Sequence, residues 1–219
     1  MKNILVATDP STASSNAAEY AARLATVTGA RLTLMSASMP APILKTAKHT
    51  HADLIVIGKT GARRKNGDSF GSTALALARR TDIPLLIVPP DAACDRISAI
   101  AVAGDTIRHG NPPVLRELMS TFGSRLYRFT VTGKAPTQTI QVSESDALHS
   151  PGQPFRLLYQ VPVNSLLRHS IENFIEVNPI ELLVAKPLPG LSPERWMLNG
   201  PGKDLLFAIR PPLLVLPLN

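Results

Sequence analysis

Two segments of this chain recur at one and the same spacing. Asp53-Leu54-Ile55-Val56 returns as Glu181-Leu182-Leu183-Val184, and Pro84-Leu85-Leu86-Ile87-Val88-Pro89 returns as Pro212-Leu213-Leu214-Val215-Leu216-Pro217, both displaced by 128 residues. Equal displacement of two segments 31 residues apart is hard to obtain by chance, so the chain reads as two homologous halves that must build the same pattern of elements. A third pair, Val6-Ala7-Thr8-Asp9 and Val102-Ala103-Gly104-Asp105, is displaced by only 96 residues. The second half therefore carries 32 additional residues in its middle, where Phe155 to Val161 supplies a further strand and Ser165 to Val177 a helix. The first half passes from Ala37 to Ile43 through Met39-Pro40-Ala41-Pro42 with no room for either. The boundary falls near Asp91 to Asp95, which divides the chain into units at 1–92 and 93–219.

Hydrophobic period gives the elements of each unit. Ile4-Leu5-Val6-Ala7 is a continuous apolar run of the kind a strand buried on both faces shows, and Ala17, Ala18, Ala21, Ala22 and Leu24 follow at helical spacing up to Gly29. Strands are expected at Arg31 to Ala37, Asp53 to Ile57 and Pro84 to Val88, with helices at Ile43 to His49 and Ser72 to Arg80. Strands alternating with helices imply βαβ units. The fold class that follows is α/β, with two tandem Rossmann-like, doubly wound parallel sheets, the first one shortened. Its missing edge strand leaves a sheet edge open to pairing, so a homodimer or larger homo-oligomer is expected.

Composition narrows the setting. The longest apolar runs are short and end at proline, far below the roughly 18 residues of a membrane span. Ile4 to Ala7 is too short for a secretory signal core, so a cytoplasmic protein is expected. The single cysteine, Cys94, reads as a small buried or linker residue and fits a reducing compartment. The net charge is +7, and residues 1–90 supply nearly all of it, with eleven Lys and Arg against five Asp and Glu. That half has only Tyr20 and Phe70 as aromatic residues, so the basic excess lacks the stacking platform of a nucleic-acid binder. Arg63, Arg64 and Lys65 stand together instead in a loop that suits a small phosphorylated ligand or a solvated surface.

The loop begins at Gly58-Lys59-Thr60-Gly61 and runs on to Gly71-Ser72-Thr73. Glycine at the carboxyl end of a parallel strand lets backbone approach a ligand, and open α/β sheets bind in such crevices. Gly71-Ser72-Thr73 opens a helix whose unsatisfied N–H groups and positive dipole end suit phosphate. Each feature has a bland counterpart, a turn or a helix cap. Their convergence with Asp9, at the tip of an adjacent strand and able to accept from a ribose hydroxyl or to cap its own helix, carries the functional reading. Arg79 and Arg80 sit at the negative pole of the same helix and are read as structural.

The pattern Gly58-x-x-Gly61-(x)9-Gly71-Ser72, the Ile-Leu-Val-Ala-Thr-Asp opening and the Ile83-Pro84-Leu85-Leu86-Ile87-Val88 ending resemble the universal stress protein family, an adenine-nucleotide-binding branch of the Rossmann-like folds. The resemblance covers Lys2 to Pro90 clearly and the rest weakly. It implies that Ala7, Thr8 and Asp9 line an adenosine site and that Ala37 meets the adenine through its backbone. It further implies that Gly58 and Gly61, with Arg63 beside them, approach ribose and phosphates, and that Gly71, Ser72 and Thr73 hold the phosphates. The implied ligand is ATP, with or without Mg2+. Relatives occur as tandem domains or as dimers joined through their last strands. In the second half the signature is replaced, with Lys186, Pro189, Asn199 and Gly200 at the corresponding positions, so one nucleotide per chain is expected, with the second unit as a scaffold.

Other chemistries lack their residues. A P-loop requires glycine five positions before Gly58-Lys59, where Asp53 stands. A dinucleotide fingerprint would follow the first strand, and Ala7 to Ser14 holds no glycine. His49-Thr50-His51 has no third metal ligand in view, and the histidines read as solvated. There is no Gly-x-Ser-x-Gly elbow and no paired carboxylate, and no general base is evident for water attacking ATP. The protein is therefore read as a non-enzyme, or at most a slow ATPase. The favoured class is an ATP-binding stress-response regulator that acts on protein partners. The alternatives are a protein-interaction scaffold without nucleotide affinity and, last, nucleic-acid binding through Arg63 to Lys65.

Overall fold

A computed structural model describes residues 1–60, 71–103, 112–132, 156–162, 175–185 and 210–217. The first half contributes β1 (Asn3–Thr8), α1 (Thr12–Thr28), β2 (Arg31–Ser36), α2 (Pro40–His49), β3 (Leu54–Gly58), α3 (Ser72–Arg80) and β4 (Leu85–Val88). The second contributes β5 (Ala99–Ala103), α4 (Pro113–Phe122), β6 (Arg125–Thr132), β7 (Arg156–Pro162), β8 (Leu182–Ala185) and β9 (Leu213–Val215). All seven elements expected in the first half form, as does the additional strand of the second. Residues 175–177 are helical, and the rest of the expected helix from Ser165 lies outside the described residues.

The sheet differs from the expected pair. One nine-stranded sheet runs β2-β1-β3-β4-β9-β8-β5-β6-β7. Every pairing within a half is parallel, and β4 meets β9 antiparallel through Leu85↔Val215, Leu86↔Leu214 and Ile87↔Leu213. Leu86 and Leu214 are equivalent in the 128-residue repeat, so a pseudo-twofold axis passes between them. Two separate sheets would each leave a short apolar strand, β4 of four residues or β9 of three, with bare N–H and C=O groups, and pairing the two strands satisfies both.

The repeat extends to individual hydrogen bonds. Arg31 N donates to Lys2 O and Arg125 N to Ser98 O, both at 2.7 Å. Asp53 N donates to Asn3 O at 2.8 Å and Glu181 N to Ala99 O at 2.9 Å. The Asp53 carboxylate accepts from Lys2 N and Asn3 N, as Glu181 accepts from Ser98 N and Ala99 N. Partial burial alone would raise the Asp53 pKa, but these two N–H groups, the nearby terminal ammonium and Lys2 hold it below its ordinary value. Gly29 and Gly123 close α1 and α4 in the left-handed region, at φ +69° and +62°.

Alternation along the strands feeds two cores, one on each face. Ile4, Val6, Leu54, Val56, Leu86, Ile100, Val184 and Leu214 face α1 and α4. Leu5, Ala7, Ile55, Ile57, Ile87, Ala101, Leu183 and Val215 face α2 and α3. Both cores run unbroken across the β4–β9 junction. The Met1 terminal ammonium bonds the Glu117 carboxylate on α4, a further link between the halves. Cys94 is buried, as expected, and burial foremost pushes its thiol up to about 11, which leaves it protonated at neutral pH. The Tyr20 hydroxyl is enclosed beside it without a well-aligned hydrogen bond, and burial raises that pKa too.

Candidate functional site

The chain passes from β1 outward to β2 and then crosses back over β1 to β3, so strand order reverses between β1 and β3. At such a reversal the loops leaving two neighbouring strands part to opposite sides and open a crevice at their carboxyl ends. Thr8 and Asp9 leave β1 there, Ala37 and Ser38 leave β2, Gly58, Lys59 and Thr60 leave β3, and Gly71, Ser72 and Thr73 begin α3.

Hydrogen bonds tie these exits together. Ala37 N donates to Thr8 O at 3.0 Å, and Thr8 Oγ1 donates to Met35 O at 3.3 Å. Gly71 N donates to Lys59 O and Lys59 N to Val88 O, each at 2.8 Å, which holds the start of α3 against the end of β3. Thr73 Oγ1 donates to Ser38 O at 2.7 Å, so the first turn of α3 is fastened to the exit of β2. Asp9 Oδ1 accepts from Ser11 Oγ, and Asp9 N donates to Ser14 Oγ at 2.8 Å. Ser11 accepts in turn from Ser14 N as the cap of α1.

Of the ten site residues named from the sequence, eight are described and all eight stand at this end of the sheet. Gly61 and Arg63 lie outside the described residues, as do Arg64 and Lys65. Two of the eight carry duties of another kind. The Ala7 methyl is 2% exposed within the core beneath α2 and α3, so only its backbone can belong to a site. A Cβ on Gly58 would stand 2.8 Å from both the carbonyl carbon and oxygen of Ala13 and 3.0 Å from Ser14 N. Close approach of α1 to β3 thus requires glycine at 58 whether or not a ligand is bound. Ser11, Ser14 and Ser38 were missed as members of the network. The Ser11-x-x-Ser14 spacing after a strand is a cap signal that could have found the first two, while Ser38 acts through its carbonyl and leaves no trace in sequence.

The first turns of α1 and α3 differ. Ser11 caps α1, whereas α3 begins at Gly71 (φ −61°, ψ 129°) with no side-chain cap. The early N–H groups of α3 are therefore those a helix start offers to an outside acceptor. A shallow depression among Lys2, Asn3, Gly29, Ala30 and Arg31 lies at the amino ends of β1 and β2, the opposite end of the sheet from these exits. Among the described residues no helix is long and apolar enough to cross a membrane.

A mostly parallel open sheet, covered by helices on both faces and reversing its strand order beside the first strand, defines a Rossmann-like α/β protein. The model of the universal stress protein family matches residues 1–43 and 36–89, the first part of the chain. A universal stress protein from Archaeoglobus fulgidus DSM 4304 has the same fold over 99% of this chain and 98% of its own, with a TM-score of 0.67 at 11% identity. A functionally unknown protein from Pseudomonas aeruginosa PAO1 aligns over 99% of this chain and 92% of its own, with a TM-score of 0.60, also at 11% identity. No curated protein matches the chain in sequence.

Proposed function

We propose that the chain is a stress-response regulator that binds one adenine nucleotide, ATP with or without Mg2+, at the carboxyl ends of β1 and β3. The observation that carries this reading is the uncapped N-terminus of α3, held by the Gly71–Lys59 bond beside the strand-order reversal, at the same end as Asp9. The first N–H groups of α3, with the Ser72 hydroxyl, would take phosphate oxygens. Asp9 would accept from the ribose, and Ala37, whose N–H is committed to Thr8, would offer its carbonyl to the adenine. Gly61 and Arg63 would complete the phosphate side. Residues 1–92 and 93–219 act as a binding unit and a signature-free scaffold unit of one cytoplasmic protein that self-associates and engages protein partners. Hydrolysis is slow or absent, since Asp9 is the one carboxylate among the strand exits described above and it serves the α1 turn.

A scaffold without nucleotide affinity is the competing reading. It draws support from Thr73, whose hydroxyl donates to Ser38, and from Gly58, whose identity packing already accounts for. Calorimetric titration of ATP and Mg2+ into the wild type and a Gly71→Asp variant separates the two. The backbone at Gly71 is extended, a conformation that aspartate adopts, and aspartate there would cap α3, a gain of about 0.3 kcal/mol over glycine. It would also place a carboxylate where phosphate is to bind. The expected result is one site per chain, lost in a variant that is as stable as the wild type or more so. At 100 times its Kd the nucleotide should add about 2.7 kcal/mol of stability. No heat and no thermal shift would establish the scaffold, and two nucleotides per chain would refute the single site.

A further inference from the structure

We propose that β2 is the self-association surface of this protein, and that it pairs antiparallel with β2 of a second copy about a twofold axis at Leu34. The inference rests on the self-association in the reading above and names its surface. Strand β2 ends the sheet, and among the described residues no strand lies beyond it. In the second half the equivalent strand, β6, is covered by β7 over seven paired positions. The first half has no counterpart of β7, because the chain between β2 and β3 contains only α2.

The edge is also unguarded. Natural edge strands carry an inward charge, a proline or a bulge. Here β2 pairs with β1 over six consecutive positions without a bulge, and Leu32-Thr33-Leu34-Met35 contains neither charge nor proline. Leu34, at the middle of the strand, is 61% exposed. Three of the four exposed large apolar side chains among the described residues, Val27, Leu34 and Met39, lie on α1, on β2 and just after β2.

Backbone direction selects the partner and the register. Arg31 and Ala37 turn their N–H groups to β1, donating to Lys2 O and Thr8 O. With the two-residue period of a strand, Leu32, Leu34 and Ser36 must turn theirs outward. An antiparallel partner exchanges paired bonds only with residues of the same outward set. The register that uses all three sets Leu34 against Leu34 and Leu32 against Ser36, and it is self-complementary, as a twofold interface demands. This chain already builds such a junction within itself, where β4 and β9 pair antiparallel about Leu86 and Leu214. In the proposed register the two Leu34 side chains meet on one face and shield each other, and the two Arg31 residues lie at opposite ends of the ribbon.

Sedimentation equilibrium of the full chain at tens of micromolar tests the proposal. The wild type should show twice the 23.5 kDa chain mass. A Leu34→Lys variant sets two ammonium groups against each other at the axis, and its dimer Kd should rise at least tenfold. Its thermal midpoint as a monomer should stay unchanged, because the side chain is exposed. A Leu34→Cys variant under mild oxidation should give a covalent dimer, and a Thr26→Cys variant on the exposed side of α1 should not; the native Cys94 is buried and offers no competing thiol. A dimer that survives Leu34→Lys would leave self-association standing and overturn the β2 surface. A monomeric wild type would overturn both. Monomer with the Leu32, Leu34 and Ser36 amides protected from hydrogen exchange would show that the chain covers this edge itself, which also overturns the proposal.

Discussion

Gly58 shows how one residue can satisfy a motif for a reason the motif does not contain. In sequence it is the first glycine of a nucleotide signature, placed to let backbone near a ligand. In the structure the space where its Cβ would stand is filled by the Ala13 carbonyl group, at 2.8 Å. Backbone cannot yield as a flexible side chain can, so Gly58→Ala should force α1 away from β3 at a cost of about 1–3 kcal/mol. Thermal unfolding without nucleotide checks this, and a midpoint equal to that of the wild type would return Gly58 to the ligand alone. Ala7 is a milder case of the same overlap, since a residue at the tip of a central strand faces the core through its side chain whatever its backbone borders. The residue types were legible in the sequence here, and their division between packing and binding was not, because the start of α1 meets the end of β3 through Ala13 and Gly58, which are 45 residues apart in the chain.

Elements were the most legible level. The first half alternates apolar β-branched runs with helical apolar spacing, and each run is punctuated by Gly29, by Pro40 or by Pro84. These are local signals, and the structure places the strands and the second and third helices within three residues of where they were expected, while α1 begins at Thr12, five residues before the first apolar residue of its helical spacing, Ala17. What pins one element to another was invisible. Asn16, on α1, donates from Nδ2 to Pro89 O at 2.8 Å and to Ala92 O at 2.9 Å, and so anchors the segment that leaves β4 for the second half. Nothing in the local sequence distinguishes it from a solvated helix residue. Asn16→Ala should cost about 1–3 kcal/mol through two carbonyls left without that donor. Asn16→Asp, with the same shape but acceptor oxygens facing acceptor oxygens, should cost more. Denaturant titration of the two variants should reproduce that order, and the reverse order would show that the amide's hydrogen bonds are not what holds the segment.

At the level of the whole molecule, both cores cross the β4–β9 junction without interruption, and the Met1–Glu117 ion pair joins the halves a second time. Leu86 and Leu214 are each at most 2% exposed at the centre of that junction. Separating the halves would bare both strands and both cores at once, so unfolding should be a single cooperative transition. Fluorescence of the sole tryptophan, Trp196 in the second half, and far-UV circular dichroism of the whole chain should share one midpoint in denaturant. Two distinct midpoints would make the halves independent domains in the thermodynamic sense.

By itself the sequence determined the α/β class, the repeat and its unequal offsets, the elements of the first half, the additional strand of the second, and the gathering of Asp9, Gly58 and Gly71 at strand exits. All of these follow from local period, from punctuation by Gly and Pro, and from comparison of the chain with itself. Tertiary structure alone decided that two expected sheets are one, with β4 and β9 back to back, and that glycine at 58 serves a helix. It also decided that Thr73 Oγ1 fastens the first turn of α3 to the exit of β2 through Ser38 O. Edge pairing and hydrogen bonds between distant segments depend on which surfaces meet, and the free energy of that meeting is shared among residues too far apart in the chain for any local pattern to record it.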